Sequence, residues 1–204
     1  MNTQEPTLAQ TQYSGREAVA LVPVGIALNL AIGTLVHALK LPIYLDAVGT
    51  VAITLIAGLR PGLLVGVLSF VVGAVLINPV MLWFSGTQAA IALYVHAVAK
   101  QGAFRTYPRT IVAGIGLGVV AAIVSAPVLV VLFGGITGSG SSLIVAFLLA
   151  SGKGLMKAVI FSGLASEPLD KTLQCVLAIW LVRGLPRSVT RRFKGGSLAE
   201  NSMA

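Results

Sequence analysis

The side chains able to orient a small molecule fall in three stretches far apart in the chain. The first holds Tyr44 and Asp46, and the second Asn78, Trp83 and Gln88. The third holds Thr137, Gly138, Ser139, Gly140, Lys153, Lys157 and Asp170, with Ser141, Glu167 and Lys171 among them. Carboxylates, ammonium groups, amides and an aromatic ring set among apolar neighbours are what a pocket needs, namely nonpolar walls with a few directed polar groups. The glycines let backbone amides approach a ligand closely. Asp46 opens an apolar run and has no basic neighbour nearer than Lys40, so it either caps a helix start or faces a ligand. Lys153 and Lys157, four apart on one helical face, either pair with a carboxylate or snorkel to the surface.

Other chemistries lack their residues. Gly152-Lys153-Gly154 superficially resembles a phosphate loop, but the upstream glycine and following Ser/Thr are missing, so no ATPase site is expected. Residues 138–143 lack the third glycine of a dinucleotide loop and follow no strand. Asn78-Pro79-Val80 is half of an aquaporin-type pore motif without a second copy. No Ser/His/Asp spacing suggests a protease, so no catalytic residue is named. Cys175 is the one cysteine, and His37 and His96 lie near opposite ends of different apolar runs. Neither a metal site nor a cofactor is therefore expected, and both histidines read as packed, hydrogen-bonded residues.

These polar stretches must be positioned by apolar elements, because 56% of the 204 residues are hydrophobic and only 10% are charged. That composition leaves too little polar surface to clothe a soluble core. It predicts an all-α integral membrane protein, a compact bundle of six spans near residues 18–39, 45–59, 62–77, 87–99, 110–133 and 168–184. Arg16, Arg60, Lys100, Arg105, Arg109, Arg183, Arg187, Arg191, Arg192 and Lys194 then lie on the amino-terminal side, and Lys40, Lys153, Lys157 and Lys171 opposite. Ten against four is a positive-inside bias, which sets both termini in the cytoplasm. It also gathers the three polar stretches on the outer face.

A polar tail (1–17), one membrane domain (18–186) and a basic tail (187–204) follow. The amino-terminal stretch lacks the basic start and short apolar core of a cleavable signal. The net charge of +8 sits beside span ends without interleaved aromatics, so anionic lipid is expected as its partner and nucleic acid is not. The second to fourth spans are short for a hydrocarbon core of about 30 Å. Residues 141–166, interrupted by Gly152, Lys153, Gly154 and Lys157, read as two short helical pieces on the outer side between spans five and six. Small residues four apart, Ala27/Ala31, Gly62/Gly66 and Gly114/Gly118, allow close helix packing, within this bundle or against a partner.

Ala27-Leu-Asn-Leu-Ala31 resembles the Ala-x-x-x-Ala signature of substrate-binding S components of energy-coupling factor (ECF) transporters. Leu41-Pro-Ile-Tyr-Leu-Asp46-Ala-Val-Gly-Thr50, Phe133-Gly-Gly-Ile-Thr-Gly-Ser-Gly140 and Ser166-Glu-Pro-Leu-Asp170-Lys171 are similar to stretches of bacterial S components, so the resemblance covers roughly residues 18–190. It implies a non-enzymatic transport subunit of the bacterial plasma membrane. Such a subunit takes a vitamin or similar micronutrient from outside and works with a membrane T component and two ATPase subunits. In that family the alanines corresponding to Ala27 and Ala31 meet the coupling helices of the T component. No motif here fixes the cargo. The alternatives are a small membrane enzyme acting on lipid or peptide, and a self-sufficient carrier or channel.

Overall fold

Proline and glycine punctuate the apolar runs into helices. The computed structural model describes residues 18–39, 41, 43–136 and 141–186, and all regular structure among them is helical. Helix α1 spans Val22–Ala38, with Pro23 in its first turn, where a missing N–H costs nothing. Its buried residues Val22, Gly25, Asn29 and Val36 share one face. A strap without regular structure, residues 43–47, leads into helix α2, Val48–Ala57. All ten residues of α2 are buried, so it is the axis of the bundle rather than one of its walls.

Gly58, at φ 89°, ends α2 and turns the chain into helix α3, Leu59–Leu76. A side chain is disfavoured at that φ. A 3-10 turn, Pro79–Phe84, is started by the Asn78 side chain accepting from Val80 N at 3.0 Å, and helix α4, Ser85–Lys100, follows. Helix α5 spans Tyr107–Phe133 and stops at Gly134, which takes the left-handed conformation at φ 57°. Helix α6, Ser141–Ala150, is separated by residues 151–154 from helix α7, Leu155–Gly184.

The main core surrounds α2, where Val48, Val51 and Leu55 meet Val65, Ile91, Val95, Leu117 and Ile179. A smaller cluster of Ala126, Val145, Ala158 and Val159 seats α6 against α5 and α7. The α5/α7 seam is tighter than ordinary side-chain packing permits. A Cβ on Gly118 would strike the Pro168 backbone, and one on Gly114 would lie 2.5 Å from Thr172 Cα. Gly62 similarly faces Thr54, so both of these glycine pairs serve internal packing. Ala27 and Ala31 differ, because both are exposed.

Among the described residues, three segments are long and apolar enough to span a membrane: Leu59–Leu76, Pro79–Lys100 and Tyr107–Phe133. The outer surface of the bundle matches them, with Val75, Val112, Val131, Leu143, Phe147 and Trp180 all exposed. Burying such a belt in lipid removes apolar area that water would otherwise face. The reading of residues 141–166 as two short pieces is corrected in part. The break at 151–154 is present, but the second piece continues without interruption through Pro168 to Gly184. Proline breaks a helix when the freed carbonyl and the ring find no accommodation. Here the bare backbone of Gly118 accepts the Pro168 region, and the buried charges beyond it hold the helix in place.

Candidate functional site

Two polar clusters are built into this apolar bundle, and a cavity lies against both. The first centres on Asn29 of α1. Its amide donates to Thr50 Oγ1 at 2.9 Å and Ser69 Oγ at 3.0 Å, and its Oδ1 accepts from Gly49 N at 2.7 Å and Thr50 N at 3.4 Å. Helix α2 has no side-chain cap of its own. Asn29 supplies that cap from another helix, satisfying first-turn N–H groups that would otherwise be stranded. Thr50 Oγ1 in turn donates to Gln88 Oε1 at 3.1 Å, and Gln88 Nε2 donates to the Asp46 carbonyl at 3.4 Å. One asparagine thus ties α1, α2, α3 and α4 together.

The second cluster is ionic and centres on Lys171, whose side chain is 4% exposed. Its Nζ lies 2.7 Å from Asp170 Oδ2, 3.3 Å from Asp46 Oδ1 and 3.4 Å from Glu167 Oε2, and 5.7 Å from the centre of the Tyr44 ring. Asp170 is fully enclosed and doubly used. Its Oδ1 accepts from Tyr44 N and Leu45 N at 2.9 Å each, and its Oδ2 accepts from Gln174 Nε2 at 2.7 Å as well as from Lys171. Gln174 Oε1 takes Ala47 N at 3.0 Å. The strap has no ladder or helix to satisfy its amides, so α7 does so with side chains. Leu45 is held there at φ 47°, the one non-glycine with positive φ among the described residues. That conformation is uncommon for leucine and persists because neighbouring contacts over-determine it.

The cavity has a volume of about 710 Å³, within the range of small-molecule sites. Asn29, Ser69, Gln88, Asp46, Glu167 and Lys171 supply polar lining, while Leu30, Phe70, Ile77, Phe84 and Leu129 supply apolar walls. Phe84 stacks on Phe133 with ring centres 6.0 Å apart, which fixes the 3-10 turn to the end of α5. The second half of α1, the ends of α3 and α5 and the start of α4 converge on this space. Arg60, Lys100, Arg105 and Arg109 occupy the opposite helix ends, where Arg183 Nη2 donates to the Arg105 carbonyl at 2.9 Å.

Of the residues singled out from sequence, Tyr44, Asp46, Asn78 and Gln88 line the cavity. Asp170 lies behind it, bonded to the strap. Trp83 is exposed on the 3-10 turn, and Lys153 and Lys157 are exposed on the break and the start of α7, where Lys153 sits 5.6 Å from the Phe161 ring centre. None of these three reaches the cavity. Thr137, Gly138, Ser139 and Gly140 lie outside the described residues. His37 lines the cavity, and His96 Nδ1 is buried without a hydrogen bond, so the expectation of a hydrogen-bonded histidine fails at His96.

Glu167 and Lys171, of the third polar stretch, also line the cavity, and so do Asn29 and Ser69, which the sequence reading did not name. Asn29 carried a readable signal, being an amide in the middle of an apolar span, inside the Ala27/Ala31 pair. Lys171 was read as an outer-surface cation and is instead enclosed by carboxylates. Among the described residues no three His, Cys, Asp or Glu side chains are arranged to hold a metal ion. The arrangement suits holding a small molecule between a neutral amide floor and an acidic wall. No protein-family model, curated protein or solved structure matches this chain.

Proposed function

We propose that this chain is the substrate-capturing S component of an ECF-type importer in a bacterial plasma membrane. In this reading it crosses the bilayer six times with both termini in the cytoplasm. The observation that carries the reading is the position of the cavity, at the helix ends opposite Arg60, Lys100, Arg105 and Arg109. With the arginines inside, as their charge prefers, the cavity opens toward the outer side. A vitamin-like molecule enters there, and a T component with two ATPase subunits supplies the work of translocation.

The short α2 is compatible with six crossings. Ten helical residues rise about 15 Å, and the non-helical strap covers part of what remains of a hydrocarbon layer about 30 Å thick. The strap backbone at that depth is tolerable because Asp170 and Gln174 receive its N–H groups. Ala27 and Ala31 support the partner assignment, since both point out of the bundle and leave a low surface for another helix.

Two measurements test this reading. Single cysteines at Arg60, Arg105, Asn78 and Gly86, in a Cys175→Ala background, should react with an impermeant reagent in intact cells only at the last two. Labelling at Arg105 would sink the topology. Ala31→Trp should abolish co-isolation with the T component and ATPases while leaving the solitary chain folded. Unfolding of that variant would instead assign Ala31 to internal packing.

A further inference from the structure

Given the capture reading above, we infer that the captured molecule is an organic cation whose N–H donors are received by Asp46 and Glu167. Three carboxylates face one ammonium, a formal charge of −2 with all ionised and still −1 with Glu167 protonated. Asp170 is not part of the surplus available to a ligand, because it is enclosed and its oxygens already accept four donors. Asp46 and Glu167 line the cavity. Glu167 Oε2 is buried and receives no hydrogen bond, although Lys171 lies 3.4 Å away. Of the Asp46 oxygens, Oδ1 takes long contacts from Lys171 and Gln174 at 3.3 and 3.4 Å, and no donor reaches Oδ2 among the described residues.

A buried acceptor without a donor costs free energy that a ligand N–H recovers. Thr87 Oγ1 is a second buried polar atom on the cavity without a partner.

An anionic ligand would depend on Lys171, which carboxylates already surround. Its Nζ donates to Asp170 Oδ2 and Asp46 Oδ1 and lies 3.4 Å from Glu167 Oε2, and its side chain is 4% exposed. An incoming carboxylate would have to displace one of these while meeting the surplus negative charge at short range, where the low dielectric makes repulsion large. A neutral ligand could donate to Glu167 Oε2 but would leave the surplus charge uncompensated. A cation with N–H donors meets both at once. The absence of a metal-holding donor set among the described residues points to an organic cation rather than a metal ion.

Thermal unfolding of the purified full-length chain in detergent tests the inference with matched probes at millimolar concentration. Pyridoxamine and pyridoxine differ by an ammonium in place of a hydroxyl, thiamin is a fixed cation, and biotin and nicotinate are anions. Pyridoxamine or thiamin should stabilise the protein, with pyridoxine, biotin and nicotinate giving no shift. Asp46→Asn and Glu167→Gln, both nearly isosteric, should each weaken cation binding about 10- to 150-fold. The inference is overturned if no cation stabilises the chain, if pyridoxine matches pyridoxamine, or if cation binding survives both substitutions. Binding is read on the solitary chain, so neutral-only binding with intact co-isolation of the ATPase subunits sinks the charge assignment alone. Cation binding without any co-isolation sinks the importer reading alone.

Discussion

The Asn29 and Lys171 clusters occupy the same bundle and border the same cavity, yet they close differently. Asn29 matches two donors and two acceptor bonds to four partners and carries no charge. The Lys171 cluster sets one cation against three carboxylates and leaves acceptors over, facing the cavity. A closed network fixes helix positions and has no reason to bind anything. An over-supplied one holds an unmet electrostatic demand, which is what a ligand can meet. The comparison teaches that burial of polar groups is not one phenomenon: their balance separates a fastener from a receptor.

The largest effect expected is from Asp170→Ala, which takes from Lys171 its shortest ion-pair partner and removes the acceptor of two strap amides. Breaking a buried pair from one side costs about 3 to 5 kcal/mol. Urea or thermal unfolding in detergent should register that loss, and a variant as stable as the parent would show that the strap is not fastened there. Asn29→Leu comes next. Interhelical hydrogen bonds in membrane proteins average about 0.6 kcal/mol, so four of them predict about 2 to 3 kcal/mol, with the α2 cap at the upper end.

Glu167→Gln inverts the pattern. It removes a carboxylate from an over-acidic cluster, so stability should hold within about 0.5 kcal/mol or rise, while ligand affinity falls as given above. If Glu167→Gln destabilises as much as Asn29→Leu, the two clusters are alike and the contrast collapses. The smallest effect belongs to Lys157→Ala, an exposed side chain away from the cavity. Its unfolding midpoint and ligand affinity should match the parent, a change below about 0.5 kcal/mol.

The helices were legible wherever an apolar run was bounded by turn residues. The runs near 18–39, 62–77, 87–99 and 110–133 correspond to α1, α3, α4 and α5, with ends shifted by a few residues. The continuity of α7 was not legible, because Pro168 is a local breaker, and what accommodates it is the bare surface of Gly118 on another helix. Part of the cavity was visible in the polar connections, through Tyr44, Asp46, Asn78 and Gln88. Ser69 was not, and Asn29 was readable only as an amide within an apolar span, since single polar residues in such spans acquire partners only from the helix they face. Lys171 misled for a related reason. Charge type is in the sequence, but the three acceptors around it come from residues up to 125 positions away.

That separation orders events during synthesis. The amides of Tyr44 and Leu45 find their acceptor across 126 and 125 positions, so nothing in α1 to α5 can complete the strap. Contacts so distant along the chain form late, after the intervening loop has closed. Chains halted on the ribosome before Leu155 should insert their early helices and still exchange the strap amides freely. Protection should appear only once α7 has left the tunnel, making the site the last part of the protein to exist.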